Sequence, residues 1–143
     1  MKFIFLLLTA LIYSCASNSN NDLLHIKYTY YEKSINKSNV SQLSSDFFSR
    51  QLLSGLNVND REVSEQLLFK SYMSKQLESF ESIKGNLGCL TINGLDNKQA
   101  PISFNIRYIN ENENWVIDEI GVLFVDTQAE FSKLPKCPGE YQN

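Results

Sequence analysis

The sequence predicts an α+β domain in which N-terminal helices pack on a curved antiparallel sheet formed by the C-terminal half. Three observations carry this. Up to about residue 84, apolar residues recur at spacings of three and four. From Cys89 onward they recur at every second position. Between the two patterns stand Gly85 and Gly88, which punctuate the change. A chain of 143 residues is a one-domain length.

The elements follow in order. Leu24, Tyr28, Tyr31 and Ile35 form one stripe, which predicts a helix from about Asp22 to Ile35 with Asp22 near its N-cap. The same stretch alternates, with Leu24, Ile26, Tyr28 and Tyr30 on one side, so a strand competes. Asn36–Asn39 is a turn. Val40, Leu43, Phe47, Phe48 and Leu52 predict a second helix ending near Gly55. Asn59 with Glu62 resembles a capping box. It predicts a third helix through Val63, Leu67, Leu68 and Tyr72, continued by Met73, Leu77 and Phe80 with a bend or break near Ser71.

The strands begin with Cys89, Thr91 and Asn93 alternating against Leu90 and Ile92, and the turn residues 94–97 end that run. Residues 101–109 alternate cleanly, placing Ile102, Phe104, Ile106 and Tyr108 on one face. A polar turn at 110–114 precedes a last strand from Trp115 to Val125. Trp115, Ile117, Gly121, Leu123 and Val125 share one face of it, with Glu119 the exception. Trp115 is expected to be mostly buried against the helical half. A tail with Pro135, Cys137 and Pro138 is expected to lie over the domain.

The N-terminus carries a different message. Lys2 precedes an apolar run, 3–13, about half of the roughly 20 residues that span a bilayer. That is the pattern of a signal peptide. Ile12-Tyr13-Ser14-Cys15 resembles the bacterial lipobox, in which cleavage before a cysteine leaves that residue acylated. The resemblance implies a signal peptide over 1–14 and lipidation of Cys15. Ala16, not Asp, follows the cysteine, which by the family pattern implies the outer membrane, facing the periplasm. Residues 15–21 are small and polar and read as a flexible tether. The domain then spans 22–143.

With Lys2 removed, 12 Lys and Arg face 16 Asp and Glu, a net charge near −4. The cations are scattered singly, so nucleic acid is not an expected partner. With Cys15 acylated, Cys89 and Cys137 remain. In an oxidising compartment they are expected to pair, stapling the tail to the strand that opens the sheet, the alternative being two buried thiols. No second ligand lies at metal spacing from either, and His25 is the one histidine, so no metal or other cofactor is expected.

Three helices followed by long antiparallel strands, with Asn114-Trp115-Val116-Ile117-Asp118 opening the last, resemble the NTF2-like (cystatin-like cone) superfold. That superfold hosts small enzymes as well as binding domains, so the resemblance implies fold before function. No Gly-x-Ser-x-Gly and no Gly-rich phosphate loop occurs. His25, Tyr108 and Asp118 are the candidate pocket residues. Asp118 is either a base in a pocket or a carboxylate paired with Arg107. Tyr28, Tyr30, Tyr31, Tyr72 and Tyr108 either line a pocket or fill the core. The functional expectation is a lipid-anchored envelope protein that binds another protein or a small apolar ligand. The alternative is an NTF2-like enzyme acting on a hydrophobic small molecule.

Overall fold

The computed structural model describes residues 22–140; the predicted signal peptide, tether and acylated Cys15 lie outside them. Among the described residues, helices occupy the N-terminal half and one open antiparallel sheet the C-terminal half, the α+β arrangement read from the sequence. The helices are α1 (Leu23–Ser34), α2 (Val40–Phe47), α3 (Arg50–Leu53) and α4 (Arg61–Leu67). The strands are β1 (Lys75–Lys84), β2 (Leu87–Leu95), β3 (Pro101–Glu111) and β4 (Asn114–Phe124), hydrogen-bonded in that order.

Helix α1 resolves the competition between periods. Leu24, Tyr28, Tyr31 and Ile35 are all buried, whereas Ile26 and Tyr30, which a strand would have buried, are each 63% exposed. Asp22 is the N-cap residue but its side chain caps nothing. The carboxylate of Glu81, on β1, does so instead, accepting the N–H groups of Leu24 (3.2 Å) and His25 (2.9 Å). At the other end the Lys70 ammonium donates to the carbonyls of Glu32 and Ile35. Both ends of α1 are therefore satisfied from elsewhere in the chain. Gly88 leaves room for the Leu24 side chain against the sheet, since a Cβ there would sit 2.6 Å from Leu24 Cδ1 and would make that side chain shift.

Three sequence expectations are corrected. The single helix over Val40–Leu52 is two, because Phe48 turns extended and forms a parallel bridge to Ile117. Ser49 then starts α3 as its N-cap, its hydroxyl accepting Leu52 N–H at 2.9 Å. The third helix is also shorter than its apolar stripe. It stops at Leu67, a 3-10 turn follows at Phe69–Tyr72, and the remainder becomes β1. A bulge at Leu77 gave that strand its helix-like spacing, because an extra residue breaks the alternation. The sheet thus begins before Gly85, which is the hairpin turn at φ +59°, and Cys89 lies on the second strand, not the first.

The third correction concerns β4. Tyr108 pairs with Ile117 but Arg107 pairs with Glu119, leaving Asp118 as the extra residue. The bulge reverses which side chains face the helices. Trp115 and Ile117 do so before it, and Ile120 and Val122 after it, all four lying against the apolar core. Glu119, the odd charge on the predicted apolar face, belongs to the opposite face, where it pairs with Arg107 at 2.6 Å. Trp115 packs against the core of the helical half as expected and keeps a partly exposed edge, because it sits opposite Asn110 at the end of the sheet. The turn before it tightens to Asn112 and Glu113, both at positive φ, as two-residue hairpins require.

The helical side of the sheet is filled by rings. Phe69 lies stacked on Tyr31 at 5.2 Å and edge-on to Phe104 at 5.2 Å, with Tyr28 6.2 Å away. Ile102, Phe104, Ile106 and Tyr108 of β3 are buried beneath them, on the one face the alternation assigned. The other side of the sheet is polar and covered by the tail. Thr91 donates to Asn105 Oδ1 (2.9 Å), and Ser103 to Asn93 Oδ1 (2.8 Å), all four residues buried. Asn93 donates to the Ser132 carbonyl (2.9 Å), and Lys136 N–H donates to Thr91 (2.8 Å). Cys89 and Cys137 form a disulfide with Cα atoms 4.8 Å apart, fixing the tail across β2.

Candidate functional site

A groove of about 560 Å³ runs along the outer edge of β4, within the size range of ligand sites. Leu52 and Leu56 from the α3 region and Val63 and Leu67 of α4 line one side; Ile120, Val122 and Phe124 of β4 line the other. The break at Phe48 opens this space. It ends α2 early and carries α3 outward past the sheet edge, so two short helices meet β4 at its rim. The bulge at Asp118 completes it by turning Ile120, Val122 and Phe124 toward the helices.

Asp118 and Glu119 lie at the end of the groove where the bulge occurs. The Asp118 side chain is only 5% exposed, and both its oxygens are committed. Oδ1 accepts the Ser49 hydroxyl at 2.6 Å, and Oδ2 accepts Arg107 Nε at 3.0 Å and Nη2 at 2.7 Å. This is the Arg107-paired alternative, strengthened by a second donor. With both oxygens engaged by fixed donors, this carboxylate is poorly placed to act as a base toward an incoming substrate. Its visible effect is to lock the bulge to the start of α3.

His25 is placed elsewhere. Its Nε2 lies 2.9 Å from Gln76 Oε1, on the first turn of α1 beside β1, across the sheet from β4. Tyr108 is buried in the core, and its hydroxyl, like that of Tyr28, has no hydrogen-bond partner among the described residues. Burial pushes the phenols of Tyr28, Tyr31 and Tyr108 far up, so all three remain neutral at any ordinary pH. The structure therefore does not bring His25, Tyr108 and Asp118 together. Of the five tyrosines, Tyr28, Tyr31 and Tyr108 fill the core, Tyr72 borders the groove, and Tyr30 is exposed.

The groove itself was missed in the sequence. Leu56 and Val63 stood inside presumed helix stripes or loops, and Phe124 stood on the face of the last strand expected to point away from the helices. The one signal that could have found it is Ser49. A serine followed by Arg50-Gln51-Leu52-Leu53 is an N-cap pattern inside what periodicity treats as continuous helix. Among the described residues no group of three or more His, Cys, Asp or Glu could hold a metal, and no helix is long and apolar enough to cross a membrane.

The chain matches no protein-family model, no curated protein and no solved structure.

Proposed function

We propose that this is an exported lipoprotein, anchored by acyl groups on Cys15, that presents a binding domain in the bacterial envelope and takes a small apolar ligand into the groove beside β4. Residues 1–14 serve as the signal peptide and 15–21 as the tether, with the outer membrane, facing the periplasm, as the destination. The observation that carries the binding reading is the groove, which offers aliphatic and aromatic side chains to solvent along the sheet edge. Leu56 is 40% exposed and Phe124 is 62% exposed, an arrangement that costs solubility and needs a use.

An NTF2-like enzyme would require a free acid or base in a cavity between helices and sheet. Here Tyr31, Phe69, Phe104 and Tyr108 fill that space, and Asp118 is bound by Arg107 and Ser49. These features favour binding over catalysis.

The test is titration of the purified protein with a fluorescent apolar probe such as N-phenyl-1-naphthylamine, and displacement by alkyl alcohols of increasing length. Saturable binding that Leu56→Glu weakens about tenfold or more supports the groove. Binding that Leu56→Glu leaves unchanged would refute it. Mass spectrometry of the mature N-terminus tests the anchor: an acylated chain beginning at Cys15 is expected, and an unmodified chain starting elsewhere contradicts it.

A further inference from the structure

A second concavity, separate from the groove, opens at the other end of β4. It is a cleft of about 330 Å³ between α1, the end of α2 and the β3–β4 hairpin. The buried rings of Tyr31, Phe47 and Tyr108 lie at its base. Its rim differs from that of the groove. Tyr30 and Trp115 supply aromatic faces, while Ser45, Asp46 and Asn114 supply a hydroxyl, a carboxylate and an amide.

Several of these groups are uncommitted. Ser45, Asp46 and the Trp115 indole N–H make no side-chain hydrogen bond among the described residues, and each is at least partly exposed. Asn114 is half-committed. Its Oδ1 accepts Lys27 Nζ at 3.0 Å, which fixes the amide plane and leaves the two Nδ2 donors available. Tyr30 is held by Phe47, ring centroids 5.5 Å apart, so its orientation is supported although it is solvent-facing. Lys27 and Asp46 carry opposite charges, so the rim has no net charge.

We infer that this cleft is a saccharide-binding site for a neutral sugar unit; that the sugar belongs to an envelope glycan rests on the exported-lipoprotein reading above. A pyranose presents an apolar C–H face bordered by hydroxyls that both donate and accept. The cleft presents the complement: aromatic faces for the C–H side, the Asp46 carboxylate and Ser45 hydroxyl as acceptors, and the Asn114 amide and Trp115 N–H as donors. An apolar ligand would leave those polar groups unpaired and is disfavoured. An ion finds no net charge to meet. The inference is independent of the groove, since the two concavities share no lining residue.

Trp115 is the one tryptophan of the chain, so the site reports on itself. The experiment titrates the full-length protein, extracted in detergent, with N-acetylglucosamine tetramer and with maltotetraose, following tryptophan emission. A saturable blue shift or intensity change with either sugar is expected. Tyr30→Ala and Asp46→Ala should each weaken that binding about tenfold, the loss of one good contact. Leu56→Glu in the groove should leave it unchanged. Both rim residues are exposed, so circular dichroism is expected to match the parent and folding is not in question. Absence of a saturable change with both sugars would overturn the inference. So would a change that persists undiminished in the Tyr30→Ala, Asp46→Ala double variant.

Discussion

The two faces of this sheet are built from different chemistry. Under the helices lie Tyr28, Tyr31, Phe69, Phe104 and Tyr108, a layer of packed rings in which two hydroxyls find no partner among the described residues. Under the tail lie Thr91, Asn93, Ser103 and Asn105, a polar layer in which the side chains answer one another and a disulfide closes the cover. The ring face is held by burial, which is non-directional and large. The tail face is held by hydrogen bonds, each of modest net worth, together with one covalent link that restricts the unfolded chain. The difference teaches where open space arises. The groove and the cleft described above open on the helical side, where packing is irregular enough to leave space. The tail side is closed by specific pairings.

The largest expected effect comes from high pH acting on the ring face. The folded state holds three phenols neutral, each pushed well above its ordinary value near 10. Above that ordinary value the unfolded chain loses protons that the folded chain keeps, so the unfolded state binds fewer and stability falls as pH rises. Below about pH 10 the contribution is fully present. Ultraviolet tyrosine titration should show three of the phenols ionising only in a cooperative step that coincides with loss of near-ultraviolet dichroism. Smooth ionisation of all of them without unfolding would mean that the rings are not sealed.

Phe69→Ala is the next largest. It removes the ring that lies against Tyr31, Tyr28 and Phe104, and should cost about 3–5 kcal/mol in urea unfolding. The disulfide sharpens the comparison from the other side. Cys89→Ser with Cys137→Ser should cost about 2–4 kcal/mol. It should also leave the tail susceptible to protease while the helical half remains protected. A uniform loss of protection would show that the two faces fail together.

Asn93→Ala probes the polar layer directly. It strands the Ser103 hydroxyl and the Ser132 carbonyl, and should cost about 1–3 kcal/mol. Asn93→Asp should cost as much or more, because a carboxylate cannot donate to Ser132. The smallest effect is expected of Glu81→Ala. Losing the acceptor for the first N–H groups of α1 should cost about 1 kcal/mol, visible as reduced protection of the first turn of that helix.

The faces also differ in how far the sequence revealed them. The ring face was legible, because Leu24, Tyr28, Tyr31 and Ile35 keep helical period and Ile102–Tyr108 keep strand period throughout. The disulfide was legible from the cysteine count and the expectation of an oxidising compartment, although Cys89 was placed one strand too early. The two bulges were not. Each inserts one residue, Leu77 or Asp118, and a period read across an insertion gives the wrong element in the first case and the wrong face in the second. The groove depends on the Asp118 bulge and on the break at Phe48, which a pairing with Ile117, distant in sequence, decides. Local pattern carries no record of that pairing. Asp118 itself was read correctly in one of its alternatives, the pair with Arg107.

The central claim is that ligands meet this protein on the helical side, with the apolar one in the groove beside β4. Hydrogen exchange by mass spectrometry, with and without saturating N-phenyl-1-naphthylamine, tests it most directly. The account predicts added protection in peptides covering 50–72 and 119–124, with residues 127–140 unchanged. Added protection confined to the tail, or spread evenly over both faces, would contradict it.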